Sequence, residues 1–477
     1  MHIIKIFLLI LIFYHSFEMI IFPFKTAIYN SDETITQKDK EYNVSHYILD
    51  NYYQPNYISI KIGNPPQELK VLLTFNDCGF KIGKANKCIY RDNYLSHYNR
   101  NLSSDFTYTN YYNKTREFLK GKSAQDTLYA FTDLSMKKLT KFESIGFYLG
   151  TDTNDALCGI IGFKSDIYDF DCNEVNNIFN SFQLNQIIKN DNWILKYNSR
   201  NEGLLILDPD MEKLIKKFDN NKLIIISSEK EKMYNKWGVS IDKVLIQNND
   251  QIIKVNKKKQ IAEITNDFGL ISGSSEYYYN ITRTYFKDYI LKRICTLEEY
   301  HPNVYYYFAL ECDKEKFGIE DMKKFPKLSL VIIPFEKEFE FDYKDLFTET
   351  EHKYFFDVVF NKYITESWIL GKPFLRKYPL LFNYKSKTIG FYNEEIKIDL
   401  PTKDGNNYSE KLFVLLIIII LLIIIFGGIS FYYIIPKFKR IKKRKANELV
   451  DDDFDYTSST ENQNNLIAEK SSEKLCI

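Results

Sequence analysis

Histidine is scarce in this chain of 477 residues. There are six, and His46, His97, His301 and His352 are too scattered to give metal-ligand spacing. No glycine-rich phosphate loop occurs and no Gly-x-Ser-x-Gly, so the common nucleotide-binding and serine-hydrolase signatures are missing. Neither sign of charge is in excess, with Lys+Arg 64 against Asp+Glu 63, which argues against a nucleic-acid partner. Strand-like runs do not alternate with helical ones, so a doubly wound parallel sheet is not expected. Neither a cofactor nor a metal is expected.

Long apolar runs are present at both ends. Ile3 to Phe17, with an early Lys5, has the shape of a secretory signal and sets a segment 1–22, an uncleaved anchor being the alternative. A short polar leader, 23–51, follows without apolar periodicity. Near the C-terminus, a juxtamembrane linker (399–411) leads to 412–435, apolar and long enough to cross a bilayer as one helix. The tail, 436–477, opens with Lys437, Lys439, Arg440, Lys442, Lys443, Arg444 and Lys445. Positive residues stay cytoplasmic, so a type I single-pass protein of the secretory pathway is expected, in vesicles or at the cell surface, with the membrane as a partner.

Seven cysteines fit that topology, with Cys476 alone in the tail. Cys78, Cys88, Cys158, Cys172, Cys295 and Cys312 form an even set on the oxidising side and point to three disulfides. Nearest-neighbour pairing, 78–88, 158–172 and 295–312, is one of the connectivities open to them. Glycosylation sequons stand at Asn43, Asn101, Asn113, Asn280 and Asn407.

Between the ends, short alternating runs are broken by Gly/Pro turns, as in Tyr57 to Ile62, Gly63-Asn64-Pro65-Pro66-Gln67, and Leu69 to Leu73. The helical exceptions are brief, Glu174 to Ile188 and Ser274 to Arg293. The pattern predicts a mainly β chain with a few short helices, in two lobes, 52–215 and 216–398. Val71 to Gly79 and Ala262 to Gly273 are alike: each is an apolar strand that breaks into a polar, glycine-containing turn. Two similar halves facing one another across those turns are expected, with any chemistry at their meeting point.

The ordered motifs resemble the pepsin-like aspartic proteases, including the plasmepsins. Ile62-Gly63-Asn64-Pro65-Pro66-Gln67 is similar to the family's opening hairpin, and Gly159-Ile160-Ile161-Gly162 to its first-lobe brace. Trp237-Gly238-Val239 resembles the start of the second lobe, and Trp368-Ile369-Leu370-Gly371 followed by Phe374-Leu375 its second brace. The resemblance implies a bilobal β fold with a long cleft, Gly162 and Gly371 as the braces behind two Asp-Thr-Gly turns, and a flap over the cleft. The family's chemistry needs two adjacent carboxylates that share one proton.

The residues depart from that pattern. Ungapped counting from Gln67 puts Thr74 at the first catalytic position, and counting back from Gly273 puts Thr265 at the second. A hydroxyl does not titrate near neutral pH, so the acid/base pair is absent in this register. The flap segment carries Lys114 where the family has a tyrosine, with Tyr112 close by. A non-catalytic, membrane-anchored binding or adhesion module is therefore expected, its cleft suited to an extended peptide or protein ligand. Two alternatives stay open. One is an active endopeptidase using Asp77 and Asp267, shifted by three and two residues from the threonines. The other is a structural or sorting protein of secretory vesicles.

Overall fold

The computed structural model describes residues 19–26, 56–83, 98–109, 121–150, 159–164, 177–215, 217–228, 236–248, 251–300, 306–333, 335, 337–361 and 366–392. The chain divides into two compact units, Met1–Leu400 and Pro401–Ile477, and every described residue belongs to the first. Among the described residues no helix is long and apolar enough to cross a membrane. The segment 412–435 and the tail lie outside them.

The fold is mostly β and bilobal. Asn56–Ile62 shows how sequence becomes strand: Ile58, Ile60 and Ile62 are buried while Ser59 and Lys61 are exposed, the two-residue period of a half-covered sheet. It turns back at Gly63, whose φ of 93° lies in the left-handed region that glycine tolerates, and pairs antiparallel with Gln67–Thr74. From Val71 the second strand is buried on both faces, because its end runs parallel to Gly159–Phe163 inside the first lobe.

Among the described residues the strands form sheets of 13 and 12. The larger one crosses the boundary drawn at 215/216. Leu223–Ser227, Leu380–Asn383 and Thr388–Tyr392, all from the second half of the chain, join it beside Asn192–Tyr197 of the first. Phe382 lies opposite Trp193 in that sheet, and the two rings stack with centroids 4.2 Å apart. Trp237 closes on both, and its indole N–H donates to the Phe163 carbonyl (2.6 Å). One aromatic core therefore spans both halves.

A strand spans the boundary drawn between residues 22 and 23. Ile20–Thr26 is a strand, paired antiparallel with Glu202–Leu207 and with the start of Asn56–Ile62. Ile20, Ile21, Phe22 and Phe24 are at most 2% exposed. A signal ending at residue 22 would cut through this strand, so the part of the leader that starts the fold begins near Met19. Its apolar residues continue the apolar run Ile3 to Phe17, which hides the start of the strand in the sequence. If an N-terminal segment is removed in the mature protein, Ile20 onward is expected to be kept; N-terminal sequencing checks this, and a mature terminus beyond Ile20 would contradict it.

The helices are shorter than the sequence pattern. Within Glu174 to Ile188 the described helix is Ile178–Leu184, begun by Asn177, whose side chain accepts from the Asn180 amide (2.7 Å), while 174–176 lie outside the described residues. Ser274 to Arg293 becomes two pieces, Ser275–Thr284 and Lys287–Leu291. One disulfide is present among the described residues, Cys295–Cys312, joining facing positions on adjacent strands. Cys88, Cys158 and Cys172 lie outside the described residues, as do Asn43, Asn113 and Asn407. Of the remaining sequons, Asn101 is exposed; Asn280 is half-buried on a helix, its amide donating to the Glu276 carbonyl (2.8 Å).

Candidate functional site at the junction of the two halves

Each half delivers one turn to the junction. Thr74 ends its strand opposite Gly162, in the parallel pairing with Gly159–Phe163, and Gly162 also faces Gly79 on the strand leaving the turn. In the second half, Gln260–Ile264 runs parallel to Ser367–Leu370, and the outgoing strand Ile271–Gly273 pairs with the same segment from the other side. The Thr265 amide donates to the Leu370 carbonyl (3.2 Å). Gly371 follows, and its lack of a side chain admits the carbonyls of Phe268 and Leu270, each 2.2 Å from where a Cβ would stand.

The two turns meet on one carboxylate. Asp267 Oδ2 accepts from Thr74 Oγ1 (2.8 Å), from the Phe75 amide (3.0 Å) and, more weakly, from Thr265 Oγ1 (3.4 Å). Each threonine hydroxyl also accepts from an amide two residues on, Asn76 N–H to Thr74 (3.0 Å) and Asp267 N–H to Thr265 (3.2 Å). Asn266 Nδ2 donates across to the Leu73 carbonyl (2.9 Å). The threonines are thus brought together through Asp267, and the halves are fastened by three cross-junction hydrogen bonds. Thr74, Thr265 and Asp267 are each 4% exposed and Asn266 is fully buried.

Asp77 does not reach this carboxylate. It forms an ion pair with Lys81 (2.8 Å) at a partly exposed position one turn away in sequence. The shifted pair Asp77 and Asp267 therefore does not form a dyad, and Asp267 is the carboxylate of the junction. Phe75, in the place between Thr74 and Asn76, turns into the aromatic core against Trp193 (centroids 5.1 Å apart).

A second buried ionisable group completes the site. Lys372, directly after Gly371, is 0% exposed, and its Nζ donates to Thr26 Oγ1 on the leader strand (3.3 Å). Thr26 donates to Asn56 Oδ1 (2.8 Å), and Asn56 Nδ2 donates to the Tyr197 hydroxyl (2.9 Å). Burial, with some repulsion from Arg376, holds the Lys372 ammonium well below its ordinary pKa, and the charge of Asp267 offsets part of that. Burial pushes the Asp267 carboxyl up to about 6; the Thr74 hydroxyl, the Phe75 amide and Lys372 act against the rise, and Glu263 adds to it. Asp267 Oδ1 is buried without a hydrogen-bond partner. A carboxyl that keeps its proton to about pH 6 leaves that oxygen less costly than a full charge would be.

In the sequence Asp267 stands out only as one half of a shifted pair, and Lys372, Thr26 and Asn56 carry no motif that marks them. The signal for Lys372 was present: it is a lysine inside the apolar stretch Trp368 to Leu375. The flap residues Tyr112 and Lys114 lie outside the described residues. Among the described residues no group of three His, Cys, Asp or Glu is placed to hold a metal.

No family model matches the chain, and no curated protein matches it. Solved structures do. Basic 7S globulin from soybean is similar at 11% identity and a TM-score of 0.51, over 80% of this chain and 96% of the globulin. Conglutin gamma, a basic 7S globulin from lupine seeds, is similar at 12% identity and a TM-score of 0.51, over 79% and 95%. At such identity the likeness establishes the fold alone. It supports the pepsin-like, two-lobed architecture and corrects the expectation of a plasmepsin-like protease relative, because both structures named here are basic 7S globulins and no family model, protease or other, matches. The motifs behind that expectation are those that build the frame, the hairpin turn and the two braces.

Proposed function

We propose that the chain is a non-catalytic binding module, presented on the lumenal or extracellular side of a membrane by the span 412–435. The observation that carries this reading is the single carboxylate at the junction. Peptide-bond hydrolysis by acid/base pairs needs two groups, one to take a proton from water and one to give a proton to the leaving amine. Asp267 has hydroxyls and an amide for neighbours and is 4% exposed. The frame keeps its two turns, its two braces and its shared core without that chemistry, which favours a role based on shape. An extended peptide or protein segment lying between the halves is the ligand class that this frame suits.

The test uses the detergent-solubilised full chain, incubated with denatured peptide pools between about pH 4 and pH 7. No cleavage is expected, and a subset of peptides is expected to be retained on the immobilised protein. Cleavage that pepstatin blocks would overturn the proposal. Topology is tested separately, by protease protection of the tail in sealed vesicles.

A further inference from the structure

One turn of the second half gathers positive charge of a single sign. It joins a hairpin, Trp237–Asn248 with Gln251–Lys254, to the strand Gln260–Ile264. From 243 to 259 the chain carries five lysines and one acid, Asp250, although the whole chain is nearly neutral. Lys243, Lys254, Lys257, Lys258 and Lys259 are all exposed. Lys258 pairs with Glu366 (3.4 Å); among the described residues the other four have no carboxylate partner.

The lysines stand on a backbone that is tied down. Asn256, 2% exposed, accepts from the Val244 amide (2.7 Å) and donates to the carbonyls of Asp242 (2.9 Å) and Lys258 (2.7 Å). The Val255 amide donates to the Val244 carbonyl (2.8 Å). One buried asparagine thus fastens the lysine turn to the strand that carries Lys243. Leu245 faces Lys254, so Lys243, two residues along, shares its face of the sheet and lies roughly 7 Å away as a diagonal neighbour. Like charges held this close repel one another, and a partner of opposite sign relieves the repulsion.

The chemistry of the patch narrows that partner. Residues 236–264 contain no arginine, and none of the five ammonium groups is buried, so nothing here grips a single small anion. Several point charges in fixed positions suit a chain of repeated anionic groups instead. Ile252, 67% exposed, is one apolar side chain beside them, too little to enter a bilayer.

We propose that this turn binds a sulfated polysaccharide, its sulfate groups facing Lys243, Lys254, Lys257 and Lys259. The choice of a glycan over RNA rests on the lumenal or extracellular side proposed above. The strand Gln260–Ile264 sets the patch about 16 Å from Thr265, so the junction at Asp267 takes no part.

Acetylation of individual lysines in the detergent-solubilised full chain, read by mass spectrometry, tests the proposal. A site-by-site readout is used because the tail cluster, Lys437 to Lys445, also attracts polyanions. A heparin hexasaccharide is expected to slow modification of Lys254, Lys257 and Lys259 at least about fivefold, and raising salt from about 50 to about 200 mM to remove most of that protection. Lys70, exposed on the first half, is the reference and should be unaffected. Lys257→Gln combined with Lys259→Gln is expected to reduce the protection of Lys254 at least about threefold. No slowing at about 1 mM hexasaccharide would overturn the proposal, as would equal slowing by the fully desulfated hexasaccharide or at Lys70. Protection by an RNA oligonucleotide or by anionic vesicles, but not by the hexasaccharide, would overturn it too. The hexasaccharide comparison is made on the unaltered chain, so it stands even if the variant fails to fold. Sidedness is read separately by protease protection of the tail, so the glycan site and the topology can fail independently.

Discussion

Gly371→Ala is expected to cost roughly 4 kcal/mol or more, enough to remove a cooperative unfolding transition from a chain of ordinary stability. The backbone of Gly371 is not in a region reserved for glycine, since φ is −84° and ψ −152°. Space is the constraint. A Cβ there would stand 2.2 Å from both the Phe268 and the Leu270 carbonyl oxygens, and backbone cannot give way as the end of a flexible side chain can. To admit the methyl group the turn must lift, and with it go the hydrogen bonds that the Lys372 amide donates to the Phe268 carbonyl (2.8 Å) and the Thr265 amide to the Leu370 carbonyl (3.2 Å). Asp267 lies in that turn, so the cross-junction bonds to Thr74 and Phe75 loosen as well. Gly318→Ala is the control: nothing lies within 4 Å of its Cβ position, and its cost should stay within about 1 kcal/mol. Urea denaturation of the two variants side by side checks the prediction. A Gly371→Ala protein as stable as Gly318→Ala would mean that the brace is not a tight fit.

The frame was legible because its signals are local. Alternation marked Asn56–Ile62 and its partner, the Gly/Pro turn joined them, and counting along strands of fixed period put Thr74 and Thr265 at matching ends. The Cys295–Cys312 bridge was within reach of the nearest-neighbour pairing because a short hairpin places the two opposite each other. The centre of the site was not legible. Strand period stops at Thr265, and whether the side chain of Asp267 enters the junction depends on the path of an irregular turn. Lys372 was missed because a lysine is ordinarily assigned to the surface; here the Gly371 turn carries it inward to Thr26. Its partner sits on a strand whose apolar residues merge with the preceding signal-like run. The shared sheet was also hidden, because pairings such as Phe382 with Trp193 join residues far apart in sequence.

Thr74→Asp is expected to turn the junction into a pH-dependent fault without making an enzyme. In the native chain Asp267 already titrates unusually, its pKa raised from 3.8 to about 6. A carboxyl whose folded-state value is raised binds its proton more tightly when folded. Its contribution to stability is complete below about pH 4 and is lost as pH rises through 6, a difference on the order of 3 kcal/mol by neutral pH. Asp267→Asn keeps an acceptor for Thr74 and Phe75 and removes the titration. It should therefore flatten the stability profile between about pH 4 and pH 7. Lys372 acts in the opposite sense, since its depressed pKa favours the neutral amine in the folded state, and the variant reads the Asp267 titration together with its coupling to Lys372. Thr74→Asp places a second carboxyl where a hydroxyl now donates to Asp267 from 2.8 Å. Two carboxyls at that separation share one proton and resist losing it. Stability near pH 4.5 should remain close to that of the native chain, and a further loss on the order of 3 kcal/mol should appear by pH 7.5. Peptide cleavage is not expected, because the pair would sit at positions only 4% exposed, with Phe75 packed into the core beside it. Unfolding measured across that pH range decides the matter. A variant with the native profile would mean that the side chain at 74 turns away from Asp267, and rapid pepstatin-sensitive cleavage would mean that the junction opens to substrate.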